Sequence, residues 1–183
     1  MNDSRELTLQ ERSTKRANYC LMLTVLIISI YMMFLFIGNH ALFRLFVIAG
    51  MIALPAAVST LFYFFNPVSI RYRNVAITCF LIIYEVSCLS SKLFVYNLFM
   101  IPVLVALLMY FDLKLEICSG VLNMICCILN GFYSIHVLGT NSLAERNLIF
   151  VICSIIITVS VVAISVIIAI IRGIRLIWLI RLV

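Results

Sequence analysis

The chain has 183 residues, of which 66% are apolar or aromatic and 11% charged, with a formal net charge of +6. A globular domain is roughly half apolar and about a quarter charged, and a soluble chain this small leaves much of its surface unburied. Composition therefore excludes an ordinary soluble domain. The basic residues stand beside the ends of long apolar runs, where membrane orientation accounts for them and nucleic-acid binding is not required.

A hydrocarbon core of about 30 Å needs roughly 20 helical residues, and the apolar runs divide the chain into six such spans. Residues 1–18 form a polar tail holding Asp3, Glu6 and Glu11. No small-residue cleavage pattern follows the first run, so it reads as an uncleaved anchor. Span 1 is expected over 19–37, closed by Gly38-Asn39-His40. Span 2 is expected over 41–65, with Pro55 predicting a kink and Asn66-Pro67 ending it. Span 3, over 75–89, is short and gains length if it starts near Arg71, whose side chain can snorkel to the headgroups. Ser90-Ser91-Lys92 is the next break, and span 4 is expected over 93–111. The segment Asp112-Leu113-Lys114-Leu115-Glu116 reads as a charged turn before span 5, over 117–138. A polar loop leads to span 6, over 148–171, and residues 172–183 form a basic tail with Arg172, Arg175, Trp178 and Arg181. Barrel strands are about ten residues long and alternate apolar with polar; these runs are twice that and do not alternate. The fold class is therefore all-α, a polytopic bundle of six transmembrane helices.

Orientation follows from the cations. With the N-terminus inside, that side carries Arg5, Arg12, Lys15, Arg16, Arg71, Arg73, Lys114, Arg172, Arg175 and Arg181, against Arg44, Lys92 and Arg146 outside. An excess of Lys and Arg marks the cytoplasmic side, so both termini are expected in the cytoplasm, provided that the number of spans is even. Merging spans 3 and 4 would break that parity. The loops are all short, so consecutive helices should be antiparallel neighbours.

Enzyme templates are missing: there is no Gly-rich phosphate loop, no His-Glu-x-x-His and no Gly-x-Ser-x-Gly. Seven cysteines are scattered through the apolar runs without disulfide or metal-ligand spacing, and read as small core residues. The expectation is a non-enzyme with no metal and no cofactor. Ionisable residues within a membrane are costly and call for a partner or a role. Arg44, Glu85, Lys92, Asn97 and His136 fall at similar depth near the outer ends of their spans. They suggest a polar cluster for a small ligand or for protons, with Glu85 paired to Arg44 or Lys92 and His136 as the titrating member. The other reading is that they cap helix ends and snorkel. Asn123 and Asn130 are seven apart on one helix face and read as interhelical hydrogen-bonding residues. Tyr72, Tyr110, Trp178 and residues 62–65 read as an aromatic belt.

Three stretches resemble a known family. Glu11-Arg12-Ser13-Thr14-Lys15-Arg16-Ala17-Asn18 before span 1 resembles a Glu-Arg-x-x-Lys-Arg-Ala-Asn lead-in. Arg71-Tyr72-Arg73-Asn74-Val75-Ala76, and Met100-Ile101-Pro102-Val103 through Leu107-Leu108-Met109-Tyr110, are similar to matching parts of the same family. It is the six-helix N-terminal region of clostridial-type methyl-accepting chemotaxis proteins, related input regions of which precede diguanylate cyclase domains. The resemblance implies a membrane input module in the bacterial inner membrane. It also implies a homodimer, with kinase and adaptor reached only through an output domain that this sequence lacks, as a fragment or a truncated product would. No output-domain residue can be carried over. The competing readings are a small transporter or vitamin-capture subunit, an input region for a cyclase, a membrane peptidase and a structural subunit.

Overall fold

A computed structural model describes residues 8–37, 42–91, 94–137 and 142–181. Among these there is no strand. Six α-helices follow in chain order: α1 (Leu9–Ile37), α2 (Leu42–Phe65), α3 (Tyr72–Ser91), α4 (Met100–Leu107), α5 (Leu113–Val137) and α6 (Ser142–Arg181). Five of them, all but α4, are long and apolar enough to cross a membrane. The all-α expectation holds, and the chain is a multi-pass membrane protein. It forms two compact units, Met1–Ser90 and Ser91–Val183.

In the first unit α1 packs along α2. Its helix starts at Leu9, so the second half of the expected polar tail is helical. Thr8 explains the start: Glu11 Oε2 accepts from the Thr8 backbone N–H at 2.8 Å, and the Glu11 N–H donates to Thr8 Oγ1 at 3.3 Å. This reciprocal capping box satisfies donors that a helix start leaves open. Thr8→Ala is expected to cost about 1 kcal/mol of local helix stability, seen as faster amide exchange over residues 9–14 with the rest of the chain unchanged.

The helix of α2 continues through Pro55 and stops at Phe65, as Asn66-Pro67 requires. Asn18, fully buried, donates from Nδ2 to the carbonyls of Pro67 at 2.8 Å and Ser69 at 3.0 Å. The α1 lead-in therefore sits against the α2–α3 loop, which places Arg12, Lys15 and Arg16 at the same end of this unit as Arg71 and Arg73. Tyr72, expected in an aromatic belt, is instead fully buried, its hydroxyl 3.3 Å from Ser59 Oγ and its ring against Phe62 and Tyr63. Phe64 and Phe65 do face outward.

In the second unit α5 and α6 form a long antiparallel hairpin. The contacts give the register: Gly120 lies by Val162, Asn123 bonds Thr158, Cys127 approaches Ser154, and Gly131 lies by Val151. As numbers rise along α5 they fall along α6. The expected charged turn at 112–116 is corrected here. Only Asp112 precedes the helix; its Oδ1 accepts from the Leu115 N–H at 3.2 Å, an N-cap, and Lys114 and Glu116 lie in the first turn of α5. The basic tail is likewise not separate, because α6 runs unbroken through Arg172 to Arg181.

The fourth apolar run differs most from expectation. It is a 3₁₀ segment Phe94–Phe99, the short α4, and a 3₁₀ turn Leu108–Tyr110. Pro102 accounts for the break. It has no N–H and its ring crowds a helical carbonyl four residues earlier, so it sits most easily in a first turn; α4 begins two residues before it. A 3₁₀ helix rises about 2.0 Å per residue against 1.5 Å for α. Laid in line, these pieces would reach about 30 Å, the thickness of the hydrocarbon core.

Candidate functional site

The second unit has its polar groups inside and its large aliphatic side chains outside. Every 3 or 4 residues α5 turns a small or polar residue inward: Glu116, Ser119, Asn123, Cys127, Asn130 and Ser134 are all buried. Along α6 the buried polar residues Asn147, Ser154, Thr158 and Ser165 recur on one face at gaps of seven, four and seven. The outward faces carry Ile128, Leu129, Ile149, Ile156 and Ile167, all exposed. In water this distribution would be unfavourable. In lipid the outer aliphatics are solvated, and helix contact comes from close packing and interhelical hydrogen bonds.

The buried groups bond to each other across the hairpin. Asn123 Nδ2 donates to Thr158 Oγ1 at 2.7 Å, and Thr158 donates on to the Ser154 carbonyl. Asn130 Nδ2 donates to Asn97 Oδ1 at 3.1 Å, and Ser154 Oγ donates to the Asn97 carbonyl at 2.9 Å. Asn97 belongs to the 3₁₀ segment Phe94–Phe99, so the non-α backbone of the fourth run is tied to both long helices by one residue. Irregular backbone at membrane depth requires this kind of protein partner. Cys127 Sγ lies 3.5 Å from Ser154 Oγ. Together these groups form a polar seam along the α5–α6 contact.

One end of the seam opens into a cavity of about 40 Å³ lined by Leu107, Phe111, Asp112, Glu116, Ser165 and Arg172 among others. Glu116 is 2% exposed, and its Oε1 has no hydrogen-bond partner among the described residues. The Arg172 guanidinium stacks on the Phe111 ring, 3.5 Å from its centroid, a cation–π contact. Phe111 itself has φ 52°, ψ 30°, a left-handed conformation that costs a non-glycine residue roughly 1–2 kcal/mol. Such strain persists only where surrounding structure imposes it, and it concentrates at functional sites.

The expected outer cluster is only partly placed. Lys92 and the Arg44 side chain lie outside the described residues, so the proposed pairing of Glu85 with either is not decided. Glu85 is half-buried on α3, in the first unit. Asn97 is fully buried in the seam, held by Asn130 and Ser154. His136 faces outward, its ring parallel to that of Phe132 with centroids 6.2 Å apart. Asn97 and His136 thus share the second unit but not one environment. The reading of Asn123 and Asn130 as interhelical bonding residues is borne out. Glu116, Ser154, Thr158 and Ser165 were missed. Their signal is the recurrence of small polar residues at helical spacing along both runs, hidden by the assignment of Glu116 to a turn.

No family model, curated protein or solved structure matches the chain.

Proposed function

We propose that the chain is the membrane input module of a bacterial signal transducer of the chemoreceptor type, acting on a cytoplasmic output domain through α6. The observation that carries this reading is the length of α6. Its 40 residues form one helix, about 60 Å long and twice the hydrocarbon thickness. It links the polar seam to the stretch beyond Arg172 without a break, so a shift at the seam displaces the whole rod. A stimulus acts by binding one packing of α6 more tightly than another. The resemblance of the lead-in and of the segments at 71–76 and 100–110 supports the same reading. Both termini are cytoplasmic in it, which requires the broken fourth run to cross. Basic residues gather at one end within each unit: Arg12, Lys15, Arg16, Arg71 and Arg73 in the first, Lys114 and Arg172 in the second. Homodimerisation, and kinase and adaptor binding through an output domain, belong to this proposal.

Reporters fused before Met1 and after Val183 are expected inside the cell, and one inserted at 139–141 outside. In a fusion of residues 1–183 to a chemoreceptor output domain, adding one to four residues after Arg181 should alternate the kinase output with the roughly 3.6-residue helical period. A Val183 reporter found outside, or an output indifferent to those insertions, defeats the reading. The buried polar seam favours a second reading, a small transporter. It requires solute uptake by vesicles holding the protein, abolished by Asn123→Ala, with no phase dependence beyond Arg181.

A further inference from the structure

The cavity at the Glu116 end of the seam differs from the rest of that contact. Here a buried oxygen of a carboxyl group, the one acidic side chain among the buried residues of the seam, meets no hydrogen-bond partner among the described residues. Burying an unpaired charge costs several kcal/mol, so a carboxyl group kept in such a place either takes up a proton or holds a cation. Arg172 does not supply it, because its guanidinium rests on Phe111 at the cavity wall. Lys114, on the same first turn, is exposed and does not line the cavity. The charged side chains that do line it are Asp112, Glu116 and Arg172, a formal balance of one negative charge. Of the N–H groups at the start of α5, those of Leu115 and Glu116 are taken by Asp112.

From this geometry we infer that the cavity binds one small monovalent cation, an alkali ion or ammonium, between the Glu116 carboxylate and the Ser165 hydroxyl. Size sets the class. A site needs roughly 10–15 Å³ to hold one water, so about 40 Å³ takes an ion with one or two waters and no organic body. Charge sets the valence, since a single positive charge balances the lining. A calcium ion wants six to eight oxygens, more than Glu116, Asp112 and Ser165 provide. Ser165 Oγ donates its proton to the Val161 carbonyl at 3.2 Å, which leaves its lone pairs for an ion. The Arg172–Phe111 contact closes one wall, so occupancy ties the first turn of α5 to α6. The inference concerns binding alone and stands apart from the signalling reading.

The test is thermal unfolding of the full chain in nanodiscs, in sodium, potassium or ammonium chloride against N-methylglucamine chloride at one ionic strength. At least one small ion should raise Tm saturably, by about 3–5 °C at tenfold its Kd. Glu116→Gln should remove the rise. Ala169→Leu, which fills the cavity without touching a charge, should also remove it and decides the matter alone if Glu116→Gln does not fold. The inference is overturned by equal Tm in all monovalent salts, by a rise confined to calcium or magnesium, or by a rise that survives in either variant. Stabilisation by acid with no ion selectivity also overturns it, since Glu116 would then simply hold a proton.

Discussion

Asn18→Asp is expected to be among the most damaging single-atom-class changes in the first unit. The Asn18 amide donates to two carbonyls, those of Pro67 and Ser69. A carboxylate at that position has no proton to give and sets a negative charge against both oxygens. Asn18→Ala removes the donor without adding a charge and leaves the two acceptors unpaired, at about 1–3 kcal/mol for a buried group. The order should be Asp worse than Ala, and Ala worse than wild type. Thermal unfolding in detergent gives the order, and proteolysis of the α2–α3 loop over residues 66–71 reports the local release. Equal stability of Asn18→Asp and Asn18→Ala would mean that the amide does not donate to this loop.

Gly120→Ala should have the second large effect, with a sign opposite to helix propensity. In an exposed helix, alanine for glycine gains up to about 1 kcal/mol. At Gly120, however, a Cβ would lie 2.6 Å from Val162 Cγ2 and 3.6 Å from Thr158 Cγ2. Val162 is β-branched and short, with little freedom to retreat. Overpacking of this kind costs about 1–3 kcal/mol, so the clash wins and α5 separates from α6 at the seam. Val162→Ala in the same chain should restore most of the loss, giving a coupling that a double-mutant cycle measures. Two controls fix the interpretation. Gly131→Ala meets Val151 Cγ1 at an ordinary 3.6 Å, and Gly50→Ala meets nothing within 4 Å; both should be neutral or slightly stabilising. A destabilised Gly50→Ala would show that helix conformation rather than the hairpin contact is responsible.

Lipid explains why these tests centre on small and polar residues. Between two membrane helices an aliphatic side chain gains little by leaving lipid, so close approach at Gly120 and hydrogen bonds at Asn123 and Asn130 hold the hairpin. Each such bond contributes modestly, about 0.6 kcal/mol on average in a membrane. They matter for the fourth run as well, because Asn97 links its 3₁₀ segment to both helices.

Composition and the spacing of polar breaks were enough to determine an all-α membrane protein, the existence and order of its apolar runs, the stop at Asn66-Pro67 and the bonding face of Asn123 and Asn130. Those features depend on local chemistry: run length against bilayer thickness, proline against helix, period against face. What only the tertiary structure decided depends on partners distant in sequence. Residues 113–116 are helical because Asp112 caps them, although their charges resemble a turn. Tyr72 is buried because α2 presents Ser59 and Phe62 to it. The fourth run can leave the α conformation because Asn130 and Ser154 hold Asn97. Glu116 became conspicuous only when α6 covered it, since the cost of a buried charge is a property of its surroundings and not of its place in the chain.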